Sequence, residues 1–338
     1  MAARGEGSST ARNRTGARFL DGPLPLERDA EGFRRGRACM ALYVLSNSAA
    51  NMIERVAVAA APPAAVTSIE VWTTAAVSIL FRWVQARLQA RADGAGSAVK
   101  AEGRPAARTI ELWHFAAAGL LGPVTGTHSF LTAMRLGGVG FTVAIVQTWS
   151  LWAILMGILL LKEKGSWRLA IGVPASLVGI LLISTQQQSL SDVSAFLSSG
   201  LPWAVLASLC FAGSSVLIRR GLSRGADQGI GFVVQYLTAS ILLAARAAAD
   251  PAPLASLGLA RIGMIMCAGV LAGVVAMGFM YRALAMCPIS KVMLISASYP
   301  AIVNVLSWAF LGESVTVTGI VGILLVTSSC VWTQVEND

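Results

Sequence analysis

Apolar runs of about twenty residues recur along this chain, separated by short polar stretches that hold most of its charge. A helix rises about 1.5 Å per residue, so a run of that length matches a hydrocarbon core of about 30 Å. The runs fall near 38–60, 64–84, 111–132, 139–161, 168–186, 201–219, 228–248, 261–281, 289–311 and 315–334. None alternates apolar and polar with a period of two, so strands of a barrel are excluded and helices are expected. The pattern predicts an all-α membrane protein with about ten transmembrane helices.

Composition supports this. The chain has 338 residues, 55% hydrophobic and 13% charged, against roughly 25% charged in a soluble domain. A net charge of +9 would suit a nucleic-acid partner, but its distribution favours loops gathered on one side of a membrane. With both termini in the cytoplasm, twenty-two Lys and Arg fall on the inner side and three (Arg135, Arg246 and Arg261) on the outer, Arg55 lying within the first span. The expected partners are therefore a lipid bilayer and a small-molecule solute, with no nucleic acid. Which membrane hosts the protein is left open. The five cysteines lie in or beside apolar runs and include no C-x-x-C pair, so no disulfide framework or metal centre is expected. No cofactor motif is present.

The expected organisation is a disordered basic tail (1–37), a first five-helix unit (38–186), a polar linker without Lys or Arg (187–200) and a second five-helix unit (201–334). A shift of 150 residues lays 111–180 on 261–330 without a gap. Ala118-Gly119 meets Ala268-Gly269, Leu161 meets Leu311, Glu163 meets Glu313 and Gly172 meets Gly322. An odd number of spans per unit would insert the second copy upside down. The expectation is two inverted five-helix repeats, with a substrate site between them near mid-membrane.

The segment SASYPAIVNVLSWAFLGES, with Pro300 and then Leu-Gly-Glu, is followed by a glycine-rich last span. It resembles the EamA type of the drug/metabolite transporter superfamily. The first copy, VQTWSLWAILMGILLLKEK, resembles the same element with Ser150 at the proline position. The resemblance implies a secondary transporter that moves a small organic metabolite by alternating access. More distantly, NMIERVAVAAAPP (51–63) resembles an element of the triose-phosphate and nucleotide-sugar branch, with Glu54 and Arg55 in place of Asn-Lys. A nucleotide-sugar or phosphorylated-metabolite antiporter is thus the alternative within the superfamily. That branch's deeper lysines have no counterpart here: Val146 and Gln147 stand in the fourth span, and Ser298, Tyr299 and Pro300 in the ninth.

Candidate site residues are polar groups placed where the bilayer makes them costly. Glu54 and Arg55 lie in the first span and Glu70 in the second. Arg55 and Glu70 are each about 11 Å down their helices from the turn at Pro62-Pro63, so an Arg55–Glu70 pair lining the cavity is expected. His114 and His128 sit within about 40° of one helical face. His114 reads as interfacial, and His128 as a deep helix contact or a proton relay. Gln147, Gln235, Tyr236, Tyr281, Tyr299 and Asn304 are further groups for substrate or for helix contacts. Glu163 and Glu313 are expected to cap the helix that follows each of them. Pro300 is expected to weaken its helix and let it bend. Gly172, Ala175, Ser176 and Gly179 in the fifth span, with Gly319 and Gly322 in the tenth, suit close helix packing. Their alternative use is a homodimer through the fifth and tenth helices.

A membrane-embedded enzyme would need converging acids, a metal set or an activated nucleophile. No aspartate falls within a span, and no H-E-x-x-H, G-x-S-x-G or phosphate-binding loop occurs. The chain is therefore read as no enzyme. A non-transporting membrane scaffold is the other class compatible with the pattern.

Overall fold

A computed structural model describes residues 30–94, 111–161, 167–184, 200–286, 296, 298–313 and 316–334. Among them there is no strand. Helix α1 is Ala30–Ala60, and α2 is Pro63–Gly94. Helix α3 runs Leu112–Gly119, widens into a π-helical stretch over Leu120–Gly126 and returns to α-helix at Thr127–Gly137. Helix α4 is Val139–Val146, resuming as Trp149–Leu161; α5 is Arg168–Ser184. In the second half α6 is Leu201–Ser223 and α7 is Gln228–Ala249. Helix α8 is Leu259–Ala268, widens over Gly269–Ala276 and continues as Met277–Met286; α9 is Tyr299–Leu306 with a π-helical end at Ser307–Leu311; α10 is Val317–Gln334.

Among the described residues five stretches have the length and composition to cross a bilayer: Pro63–Val84, Val139–Leu160, Leu201–Ser223, Gln228–Ala249 and Leu259–Leu284. Tyr299–Leu311 and Val317–Ser329 are shorter apolar helices. Helix α1 carries Asn47, Asn51, Glu54 and Arg55, which lowers its hydropathy. Outward-facing Leu45, Phe81, Leu159, Ile241, Phe310 and Leu324 leave a broad apolar exterior, as lipid contact requires.

Several local structures differ from expectation. The first helix begins at Ala30, inside the segment read as a disordered tail. The remainder of that tail, the linker 187–199 and Glu163 lie outside the described residues. Pro300, expected to weaken its helix, stands where a helix starts. It occupies the first turn of α9, where a missing N–H costs nothing. Pro63 likewise opens α2, with the Pro62 carbonyl accepting from Ala65 N at 2.9 Å.

The 150-residue shift recurs in the helix irregularities. The two π-helical stretches give way to α-helix at Thr127 and at Met277, and helix starts at Trp149 and at Tyr299. Contacts also recur when the halves are exchanged. Helix α1 packs on α8 and α6 on α3; α2 packs on α8 and α7 on α3. Glycines make these approaches close. A Cβ on Gly269 of α8 would stand 2.9 Å from the Glu70 carbonyl oxygen of α2, and one on Gly119 of α3 would press still harder on the Gln235 carbonyl of α7.

Helices α5 and α10 pack along their length. The Ser176 and Ser329 hydroxyls lie 2.5 Å apart, and a Cβ on Gly179 would meet Val326 Cγ2 at 2.7 Å and Gly322 O at 2.9 Å. Gly172 and Gly322 are buried as well. The small faces of these helices are thus turned to each other within one chain.

Candidate functional site

A cavity of about 980 Å³, counting its open mouth, lies among α1, α2, α3, α4, α6, α7, α8 and the start of α9. Helix α1 supplies Tyr43, Asn47, Asn51 and Glu54. Steps of four, four and three residues align these on one stripe of an α-helix. Glu70 and Thr74 come from α2, Ser214 and Ser215 from α6, and Gln235 and Tyr236 from α7. Gln147 and Trp149 come from the break in α4. There the backbone tightens, with Thr148 N bonding to Ile145 O at 3.1 Å and Ser150 N to Gln147 O at 3.2 Å. The hydroxyls of Thr148 and Ser150 bond to the same two carbonyls, at 2.8 and 3.1 Å. Non-helical backbone at depth is tolerated where it lines a cavity.

The polar groups form short networks. Asn47 Nδ2 donates to the Tyr299 hydroxyl at 2.6 Å. With the Asn51 amide oxygen accepting from that hydroxyl at 2.5 Å, the Asn51 nitrogen reaches Glu54 Oε2 at 3.3 Å. On the facing wall the Tyr281 hydroxyl donates to Gln235 Oε1, and Ser214 Oγ donates to Ala118 O at 3.0 Å. Gln147 Nε2 donates to Ser296 Oγ at 3.1 Å. Two buried oxygens on the wall have no hydrogen-bond partner among the described residues: Glu70 Oε1 and Gln147 Oε1. Among the described residues the wall includes Glu54 and Glu70 but no Lys, Arg or His.

Arg55 therefore does not pair with Glu70. One residue advances a helix by 100°, so Glu54 faces the cavity and Arg55 turns away. Its Nε donates to Glu313 Oε1 at 2.8 Å and its Nη1 to Met134 O, at the end of α3, at 3.2 Å. Glu313 does not cap α10; there Gly319 N donates to Thr316 Oγ1 at 3.2 Å. Instead its carboxylate accepts from Val139 N at 3.1 Å and Gly140 N at 3.2 Å, at the start of α4. An anion on free amides at a helix N-terminus is favourable. The Leu-Gly-Glu sequence explains the aim: Gly312 ends α9 at φ +66°, a left-handed conformation that glycine adopts without strain, and redirects the chain so that Glu313 reaches back to α4.

The other candidates lie off the wall. His128 packs edge-on against the Trp203 ring at 6.4 Å. His114, in the first turn of α3, is fully buried within the protein, with Nδ1 3.1 Å from Glu111 O. Asn304 Nδ2 donates to Pro300 O at 2.8 Å and presses on Gly140. Sequence reasoning passed over Tyr43, Asn47 and Asn51, although their spacing with Glu54 in an apolar helix was the available signal. It also missed Arg219. Aligning α1 on α6 at a shift of 164 sets Arg55 on Arg219, and Arg219 donates to Leu284 O at 2.9 Å, the carbonyl that the 150-residue shift places on Met134. Among the described residues no group of three or more His, Cys, Asp or Glu comes together to hold a metal.

The model of the EamA-like transporter family matches residues 34–185 and again 198–334. The chain belongs to that family. It is accordingly a multi-pass membrane protein of the transporter type, built from two EamA repeats. A solved crystal structure shares the fold, with a TM-score of 0.60 over 88% of this chain and 95% of its own at 15% identity. A curated relative, the divalent metal cation transporter MntH of Chromohalobacter salexigens, is 28% identical over 147 residues, which is 44% of this chain and 34% of that protein. The chain thus matches about a third of that relative's length.

Proposed function

We propose that this EamA-like protein is a secondary carrier that moves a small organic solute through the central cavity by alternating access. The observation that carries the reading is the wall itself. It draws on both halves and presents buried oxygens on Glu70 and Gln147 that have no hydrogen-bond partner among the described residues. Stranding such groups is costly in a structural core, whereas a transported solute supplies their partners. Glu54, Glu70, Gln147, Gln235 and Tyr299 are the proposed contacts, with Asn47 and Asn51 holding Tyr299 and Glu54.

The proposed frame has ten spans in two inverted units, with both termini on the cytoplasmic side. The supporting observations are the excess of Lys and Arg in one set of loops and the places where α1 and α6 end. Arg55, late in α1, bonds at the end of α3; Arg219, late in α6, bonds at the end of α8. Arg224, just past α6, meets Glu111 at the start of α3 at 3.1 Å. The ends of α1 and α6 are therefore at opposite ends of α3. In this reading the Arg55–Glu313 pair fastens one end of the cavity, and Arg219 serves the other. A homodimer through α5 and α10 would have to use their outer apolar faces, such as Leu177 and Leu324. The proposal includes no enzymatic step.

The test is flux. Purified protein in liposomes is expected to pass a subset of a metabolite mixture unchanged, and Gln147→Leu is expected to reduce that flux with surface yield preserved. Chemical conversion of the solute, or binding without movement across every solute tried, would point to an enzyme or a scaffold instead.

A further inference from the structure

We infer that the cavity takes an organic cation, an ammonium or similar onium group carried on an apolar or aromatic body. This deepens the carrier reading and rests on it for the identity of the site. Glu54 and Glu70 stand on the wall 4% and 5% exposed, and among the described residues no basic side chain lines the cavity to balance them. A buried acid that ionises needs a neighbouring cation. The arginine nearest in sequence, Arg55, is committed to Glu313 and Met134. Glu54 has the Asn51 amide within reach, whereas Glu70 Oε1 has no hydrogen-bond partner among the described residues and lies inside the wall. A cationic solute would supply that charge, taking the place of a carboxyl proton.

The rest of the wall suits the body of such a solute. Trp149, Tyr236 and Tyr299 line the same space, and aromatic faces attract onium groups within about 6 Å of the ring centroid. Gln147, 1% exposed and with Oε1 unpartnered among the described residues, offers an acceptor to an N–H. Anionic solutes are disfavoured. Carboxylates and phosphates are held by Arg, Lys or helix N-termini, and two acids would repel them. This weighs against the phosphorylated-metabolite reading. A bare divalent metal is disfavoured as well, because it takes six or so oxygen ligands and this wall is mostly apolar and aromatic.

The experiment separates binding from flux. Calorimetry on the purified wild-type protein compares phenyltrimethylammonium, phenyl phosphate, benzyl alcohol and Mn²⁺. The expected result is binding of phenyltrimethylammonium at least about tenfold tighter than the anion or the alcohol, with a loss of about tenfold or more in Glu70→Gln and Glu54→Gln. Glu70→Asp is expected to keep part of the affinity, and monodisperse elution is required of each variant. Equal or tighter binding of phenyl phosphate, the alcohol or Mn²⁺ would overturn the inference, as would undiminished cation binding in both Gln variants. The wild-type preference needs no variant, so a misfolded mutant leaves the inference testable. Uptake of labelled phenyltrimethylammonium into liposomes then judges the carrier reading separately. Binding without uptake supports the cation site and refutes the carrier; uptake of a neutral solute with no cation binding does the reverse.

Discussion

Replacing Glu313 with leucine removes one carboxylate from three partners at once. It takes the 2.8 Å bond from Arg55 and the bonds from Val139 N and Gly140 N. A hydrogen bond to a charged group contributes about 1.5–3 kcal/mol net, and a helix cap about 1 kcal/mol. The side chains of Arg55 and Glu313 are 26% and 22% exposed, so solvent screening reduces the ionic part and its lower end applies. With the strain of a half-buried guanidinium left only Met134 O, the expected cost is about 3 kcal/mol. Arg55→Leu should cost less, about 2 kcal/mol, because Glu313 keeps the two α4 amides. The double variant should fall short of the sum by about 1–2 kcal/mol, the coupling expected of residues in contact. Thermal unfolding of the four proteins in one detergent measures this, at roughly 2–4 °C per kcal/mol. Strict additivity, or a larger loss in Arg55→Leu than in Glu313→Leu, would refute the account of a carboxylate shared between an arginine and a helix start.

Other perturbations test the packing and the wall. Gly269→Val places a Cβ 2.9 Å from the Glu70 carbonyl, so α8 must move off α2 at a cost of about 1–3 kcal/mol or more; an unchanged Tm would contradict that approach. Tyr299→Phe keeps the ring but strips the partner of Asn47 and Asn51. It should cost about 1–3 kcal/mol and weaken solute affinity, so wild-type affinity in calorimetry would remove the hydroxyl from the site. Gly179→Leu drives a side chain into Val326 and the Gly322 carbonyl. It should split α5 from α10, lowering Tm and exposing Ser176 and Ser329 to hydroxyl footprinting; protection equal to wild type would count against the contact.

Much of this architecture was legible because the bilayer constrains sequence so strongly. Apolar runs located the helices, and the 150-residue shift read from the sequence also relates the places where α3 and α8 widen and the helix starts at Trp149 and Tyr299. Depth was readable too: Glu54 and Glu70 were singled out and do face the cavity. Direction around the helix axis was not. Equal distance from the Pro62-Pro63 turn matched Arg55 with Glu70, but α1 lies chiefly against α8, and Arg55 points to a partner 258 residues away. No local pattern announces such a partner. Asn304 failed similarly: its amide closes on its own helix at Pro300 and packs against Gly140, a contact that periodicity does not display.

The carboxylate of Glu313 also has a consequence for biosynthesis. Helix α4 begins at Val139, and the group that holds its first amide lies 174 residues later in the chain. At about 5–20 residues per second of synthesis, the start of α4 waits roughly 10–35 s before its anion exists. Through that interval Arg55 is without its carboxylate and the first half is unfinished at one end. The first half expressed alone should therefore be a substrate for quality-control proteolysis, and supplying residues 198–338 as a separate chain should rescue it.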